Sequence, residues 1–407
     1  MNSVSRKAAK PSVEAQRRLA YFRLAYFKDR RDEIVSTIRE LVEIESPSDN
    51  KAAADRIADA VAHKFSQLGG ETRIHQARDF GNHLQIDFAG KSAAKPVLLL
   101  GHYDTVYPLG TLATMPCGVV GNKLTGPGVL DMKSGIALVL HALAALQDWH
   151  KQDLHKEAWH GGLPRPVTVL LVSDEEVGSD SSREITESLA KKAAAVLVIE
   201  PSYGLQGAVK TARKGVGEYL VKVTGKASHA GLDFQKGVNA ILELARQIEK
   251  ISSFTDLKKG LTVNVGIASG GSRTNVVPAE AAAQVDVRIA RIKDAAGIDK
   301  KMRSLRPFNR KCKIEVTGGI NRPPMERTAG VAALYVQASA VARELGWKLG
   351  EAAVGGGSDG NFTASMGIPT LDGLGAVGEG AHAPHEHILI SELPRRAALL
   401  AGMIERA

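Results

Sequence analysis

The run Leu98-Leu-Leu-Gly-His102-Tyr-Asp104-Thr constrains this chain most, because a strand-length apolar segment ends there in two polar side chains two residues apart. Alternate residues of an extended strand share a face, so His102 and Asp104 are aimed the same way. Two further apolar runs end alike. Val167-Thr-Val-Leu-Leu-Val172 meets Asp174-Glu175-Glu176, and Ala195-Val-Leu-Val-Ile199 meets Glu200, while Gly126-Pro-Gly-Val-Leu-Asp131-Met-Lys opens a helical pattern. Between these runs, Ile34 to Val42 and Ala52 to Leu68 carry apolar residues at helical spacing. Alternation of buried strands with helices predicts an α/β fold, a mixed sheet flanked by helices, in which ligands collect beyond the carboxyl ends of the strands.

A different unit starts near Gly215. It reads strand (218–224), helix (238–252), strand (261–269), strand (281–289), helix (294–305) and strand (313–317), the βαββαβ order of a ferredoxin-like α+β domain. Gly318-Gly-Ile-Asn-Arg322-Pro-Pro then reads as a linker back to the first domain. The expected organisation is a basic N-terminal extension over 1–30, a first domain split between 31–213 and 323–407, and an inserted domain over 214–322.

At 407 residues and 44% hydrophobic content the chain can bury two cores. Its longest uninterrupted apolar runs are strand-sized, which argues against a membrane span. Two cysteines, Cys117 and Cys312, make no disulfide framework and suggest a reducing, cytoplasmic setting. The net charge of +9 is partly concentrated in the first 31 residues and is accompanied by no nucleic-acid recognition module, so it reads as a solvated helical extension. His150, His155 and His160 lie in a polar stretch with no carboxylate partner and read as an exposed loop.

The strand ends hold what a pair of metal ions needs: imidazole, several carboxylates and one carboxylate able to bridge. His102, Asp131, Glu176 and Glu200 supply it, with one more histidine from Gly380-Ala-His382-Ala-Pro-His385-Glu-His387, among whose three the spacing does not choose. Asp104 is placed to orient His102, and Glu175 becomes a credible general base once a cation lies beside it. In the second unit, Gly225-Lys-Ala-Ser-His229-Ala-Gly, Ser272-Arg-Thr-Asn275 and Asp286-Val-Arg288 together suit recognition of a carboxylate. Gly355-Gly356-Gly-Ser358 lacks the lysine of a phosphate loop and suits a close backbone approach to substrate.

Taken together, Gly101-His102-Tyr-Asp104-Thr-Val, Gly126-Pro-Gly-Val-Leu-Asp131-Met-Lys, Asp174-Glu175-Glu176-Val-Gly-Ser, Ile199-Glu200-Pro, Gly225-Lys-Ala-Ser-His229-Ala-Gly, Gly355-Gly-Gly-Ser358-Asp and Gly380-Ala-His382 resemble the dizinc aminoacylase and glutamate carboxypeptidase family. That family also holds acetylornithine deacetylase and succinyl-diaminopimelate desuccinylase. The resemblance runs from about Arg31 to Arg406 and is greatest to the glutamate carboxypeptidase branch. It implies two Zn2+ per subunit, replaceable by Co2+ or Mn2+, with Asp131 bridging, His102 and Glu200 on one ion and Glu176 and His382 on the other. It also implies a cis Asp131–Met132 peptide and amide hydrolysis in which Glu175 takes a proton from water and returns it to the leaving amine. His229, from a partner subunit, would help hold the oxyanion, Asn275 and Arg288 would grip the substrate carboxylate, and Arg322 resembles a substrate-contacting arginine. A homodimer through the inserted domain, which also serves as a lid, follows from the same resemblance.

The reading is therefore a metallo-carboxypeptidase or aminoacylase acting on a small peptide or N-acyl amino acid, releasing a C-terminal residue such as glutamate. The alternative is a biosynthetic deacetylase or desuccinylase. A binding protein on the same scaffold would be favoured by loss of Glu175 or of a ligand, and all are present.

Overall fold

Three apolar strands that end in polar residues lie side by side in the computed structural model, which describes residues 23–153 and 163–407. Internal contacts divide the chain into two units. One holds the described residues up to Thr211 with Thr328–Ala352 and Ile368–Ala407; the other holds Ala212–Arg327 and Ala353–Gly367.

The first unit contains helices α1 (Arg31–Val42) and α2 (Lys51–Gln67), strands β1 (Glu71–His75), β2 (His83–Phe88) and β3 (Val97–His102), helix α3 (Ser134–Asp153), strand β4 (Val167–Val172), helix α4 (Arg183–Lys192) and strand β5 (Ala195–Val198). Its sheet has the order β1-β2-β4-β3-β5 and finishes with the short strand Thr370–Leu371. The β4, β3 and β5 neighbours are parallel, whereas β1 and β2 run antiparallel, so the sheet is mixed. Every residue of β3, β4 and β5 is buried, which is why these strands read as unbroken apolar runs rather than alternating ones. Helix α1 buries Ile34, Ile38, Leu41 and Val42 on one stripe. Helix α2 starts where the Asn50 side chain accepts the Ala53 N–H at 3.0 Å.

The start of α3 lies hard against the end of β5. A Cβ at Gly135 would stand 2.2 Å from the Ile199 carbonyl oxygen, so only glycine permits the approach. Val129–Trp149 is long and apolar enough to cross a bilayer, which strand-sized runs alone did not suggest, but 83% of its most apolar window is buried inside the protein. Interruption by single polar residues hid that length in the sequence. The described part of the expected N-terminal extension is packed rather than solvated. Phe27 is fully buried, Tyr26 donates to Asp148 Oδ2 at 2.7 Å and Arg23 pairs with Glu405. Residues 1–22 lie outside the described residues, as do His155 and His160; His150 belongs to α3 rather than to a loop.

The second unit contains β6 (Gly215–Thr224), α5 (Ala240–Ser252), β7 (Thr262–Gly270), β8 (Glu280–Ile289), α6 (Ala295–Arg303) and β9 (Lys313–Arg322). Its antiparallel order, β7-β8-β6-β9, is the ferredoxin-like arrangement that the βαββαβ pattern predicts. The final strand is longer than the sequence suggests. Gly318 to Arg322, read as linker, continues the pairing with β6 as far as Arg322 opposite Val216. The two glycines imitate a break, yet Gly318 has φ +95° and a Cβ there would meet the Glu218 oxygen at 2.1 Å, so it serves a close strand approach instead.

Residues 353–367 group with this second unit. Local bonds account for it: Asn361 Nδ2 donates to the Lys214 and Pro323 carbonyls at 3.1 and 2.8 Å, and Arg213 Nη1 to the Gly357 carbonyl at 2.9 Å.

Candidate metal centre and surrounding residues

The last residue of β3, His102, is buried and its Nδ1 lies 3.0 Å from the Asp104 main-chain oxygen and 3.4 Å from Asp104 Oδ1. The nearest acceptor for the ring N–H is thus the carbonyl, with the carboxylate behind it. That assignment leaves Nε2 with a lone pair facing Asp131 Oδ1 at 3.2 Å and Glu200 Oε1 at 3.3 Å. Three electron-rich atoms so close repel one another unless positive charge, a metal ion or a proton on the imidazole, lies among them.

Asp131 follows the β3 region in space, where the Asp131–Met132 peptide is cis. Its other oxygen, Oδ2, lies 3.4 Å from His382 Nε2, and His382 Nε2 lies 3.1 Å from Glu176 Oε1. One carboxylate therefore turns a separate oxygen to each of two histidines. Of the tail histidines it is His382, with φ +63°, that reaches the carboxylates; His385 is exposed and its carbonyl accepts from His387 Nδ1.

The donor chemistry fits metal ions. Atoms bound at about 2.0–2.1 Å in a tetrahedron stand about 3.3 Å from one another, whereas charge-assisted hydrogen bonds settle at about 2.7–2.9 Å. The separations of 3.2, 3.3 and 3.4 Å are nearer the former, and the 3.1 Å between His382 and Glu176 lies between the two. His102, Asp131 and Glu176, and also His102, Glu175 and Glu200, each bring ligand atoms within 4.8 Å of one another.

Electrostatics agree. Burial alone would push His102 down, but Asp104, Asp131 and Glu200 hold its pKa well above the ordinary value. Asp131 and Glu176 hold His382 up at about 10, against burial. Burial raises the Glu176 carboxyl, while Asp131, although burial opposes it, is held below the usual range by the two histidines. The cluster is an excess of negative charge that favours cations.

Asp104 does more than face His102. It is fully buried, accepts Ser48 Oγ at 2.7 Å, and receives the amides of Glu175 and Glu176 at 3.4 and 3.2 Å. It thereby ties the end of β3 to the single turn Glu175–Val177 that follows β4. The sequence reading assigned no role to Ser48 or to the fully buried Glu386, the glutamate that trails His382 in the motif of the resemblance. Glu386 has one local signal, its place four residues after His382; Ser48 has none.

Within the second unit, His229 pairs in register with Val276, and the Ala230 N–H donates to the Asn275 carbonyl at 2.9 Å, bringing His229 and Asn275 together. His229 Nδ1 accepts the amides of Gly231 and Leu232 at 3.1 and 3.2 Å, so its exposed Nε2 carries the proton and is a donor. Arg288 turns its Nε and Nη2 to Asp286, 3.0 and 2.9 Å away. Arg322 is buried beside Asp359, Nη1 to Oδ1 2.5 Å, with its guanidinium 5.0 Å from the centre of the Phe362 ring. Gly356 is exposed, while Ser358 is buried and accepts the Gly360 amide at 3.1 Å.

A family model described as peptidase family M20/M25/M40 matches residues 98–406. The chain belongs to that family. As an M20 enzyme it is a metallopeptidase of the amidohydrolase type. Carboxypeptidase G2 of Pseudomonas sp. (strain RS-16) is 33% identical over 388 residues, covering 92% of this chain and 89% of that protein. Among solved structures, a tripeptidase of Staphylococcus aureus aligns with TM-score 0.76 at 24% identity, covering 92% of this chain and 98% of that one. The YXEP protein of Bacillus subtilis, a dinuclear metal binding peptidase of family M20, aligns with TM-score 0.66 at 15% identity, covering 93% and 98%. These two share the fold of the M20 chain described here.

Proposed function

We propose that this M20 enzyme is a dizinc carboxypeptidase that cleaves the amide next to a free carboxylate and releases a C-terminal amino acid, glutamate foremost. The observation that carries the reading is Asp131, whose two oxygens face His102 and His382 separately. Around it the donors divide into His102 with Glu200 and His382 with Glu176, Asp131 being shared. Likeness to Carboxypeptidase G2 supports the choice of substrate class.

Bound there, a metal pair would polarise the scissile carbonyl and ease ionisation of a water. Glu175 lies within ligand distance of His102 and Glu200; we assign it not as a donor but as the base that takes the water's proton and later hands it to the leaving nitrogen. His102 is held in the metal-binding tautomer by Asp104. His229, as a neutral N–H donor, is suited to the oxyanion, and Asn275 to the substrate carboxylate.

The proposal includes a homodimer through the second unit. There β7 is an edge strand of its sheet, Ile267 on it is 57% exposed, and Leu242 on α5 is 56% exposed.

The test is a kcat/KM comparison of Zn2+- and Co2+-loaded protein across dipeptides, N-acyl amino acids, acetylornithine and succinyl-diaminopimelate. Acyl-glutamates are expected to lead, and their C-terminal amides to be poor substrates. Preference for acetylornithine or succinyl-diaminopimelate would overturn the carboxypeptidase assignment, and inactivity on the whole panel would overturn the hydrolase reading of this site.

A further inference from the structure

Behind the donor cluster, inside the first unit, lies a carboxylate that the reaction does not use. Glu386 is fully buried. Its Oε1 accepts the main-chain amides of Leu130 and Asp131 at 2.7 and 3.0 Å, and its Oε2 accepts the Gly128 amide at 3.3 Å and the Tyr107 hydroxyl at 2.6 Å. The same hydroxyl is 3.1 Å from the Ala383 carbonyl. Four donors on one buried carboxylate is an unusual investment for a turn residue, since each oxygen must be desolvated before it is paired.

The destinations of those bonds carry the meaning. Three hold the backbone that delivers Asp131, and the fourth comes from the loop after β3. Glu386 itself closes the tight segment that begins at His382, in which the Ala383 amide bonds to Gly380 and the Glu386 amide to Ala383. One side chain therefore fastens Asp131 and the His382 segment to each other from the rear.

The geometry points to Glu386 as a positioning residue that sets Asp131 and His382 as one rigid pair, with Tyr107 as its brace, so that a bridging carboxylate and the second histidine are already in place before a metal ion arrives. The inference rests on the metal reading of Asp131 and His382 given above. Partners that orient a ligand from behind typically change metal affinity by about 10–100-fold when removed. Glu386→Gln keeps an acceptor for the Leu130 and Asp131 amides but loses the one facing Gly128 and Tyr107. Glu386→Ala loses both, and Tyr107→Phe removes only the brace.

The experiment is titration of metal-free protein with Co2+, following the visible absorption band and heat of binding at a temperature well below unfolding, with thermal unfolding of each metal-free variant measured in parallel. Expected is a graded loss of Co2+ affinity, largest in Glu386→Ala, intermediate in Glu386→Gln and smallest in Tyr107→Phe, with an altered band in the Glu386 variants. A fall in unfolding temperature with unchanged affinity and band would make Glu386 a structural residue only and overturn the inference. Should both Glu386 variants fail to fold, Tyr107→Phe decides alone: weaker binding supports the inference and wild-type binding overturns it. Wild-type protein that takes up no Co2+ overturns the metal reading itself, which is a separate result.

Discussion

Glu175 and Glu176 are neighbours in sequence with different work, and the difference comes from what each faces. Glu176 lies against His382 at 3.1 Å, while Glu175 lies close to His102 and Glu200 and is assigned as the base rather than a donor. Glu175→Gln is therefore expected to lower kcat by about 10²–10⁴-fold, the range of general acid–base assistance. Co2+ binding should remain near wild-type, as read by titration. At this scale the strand-end pattern already exposed His102, Asp104, Glu175, Glu176 and Glu200, because a polar residue that ends a buried run has few places to go; Asp131 came instead from the segment that opens α3. Arg288 was harder. Its i−2 partner Asp286 shares its face of β8, and the two side chains meet. Arg322 was harder still, because its partner Asp359 lies 37 residues on and no local pattern joins them.

That pair belongs to the scale of elements, since it clamps the end of β9 to the Gly355–Ser358 loop. Both side chains are almost wholly buried, so removing one takes a close opposite charge away from the other where water cannot replace it. Arg322→Met should destabilise the protein, by at most about 3–5 kcal/mol, and Arg322→Met with Asp359→Leu by less than the sum of the two single changes. Urea unfolding of the three variants measures the difference.

A second element-level effect joins α1 to α3. His141 on α3 lies 3.0 Å from Thr37 Oγ1 on α1, whose proton goes to the Glu33 carbonyl, so His141 is the donor. Burial first, then Lys64 and Arg30, push its pKa from 6.5 down to about 4. A folded pKa below the unfolded one means that the unfolded chain takes up the proton first. Stability should thus fall as pH drops from about 6.5 towards 4, by at most about 1.4 kcal/mol per unit. His141→Leu should flatten that part of the stability profile in urea titrations between those limits. The sequence showed α1 by its periodicity and α3 by the motif that opens it, but a histidine on a helix face carries no mark of the residue it will meet.

At the scale of the whole molecule, each unit carries part of what the proposed reaction needs. All five proposed metal donors and Glu175 belong to the first unit, while His229 and Asn275 belong to the second. If His229 serves a neighbouring subunit, mixing His229→Ala subunits with Glu175→Ala subunits should restore a fraction of activity that neither has alone. Verified heterodimers that stay inactive would refute that exchange. The βαββαβ order revealed the second fold, whereas the allegiance of 353–367 was concealed, because it depends on the long-range bonds of Arg213, Arg322 and Asn361 rather than on any composition of the loop.

The first unit is also assembled from three separate stretches of chain, and His382 comes from the last, 206 residues beyond the Glu176 that it meets. A ribosome-bound or truncated product that stops before Ile368 would carry the base and four donors, yet lack both the fifth and the carboxylate that braces it. On the proposed reading, hydrolytic competence depends on that last stretch: a copy that stops before Ile368 has no means of closing its own metal cage.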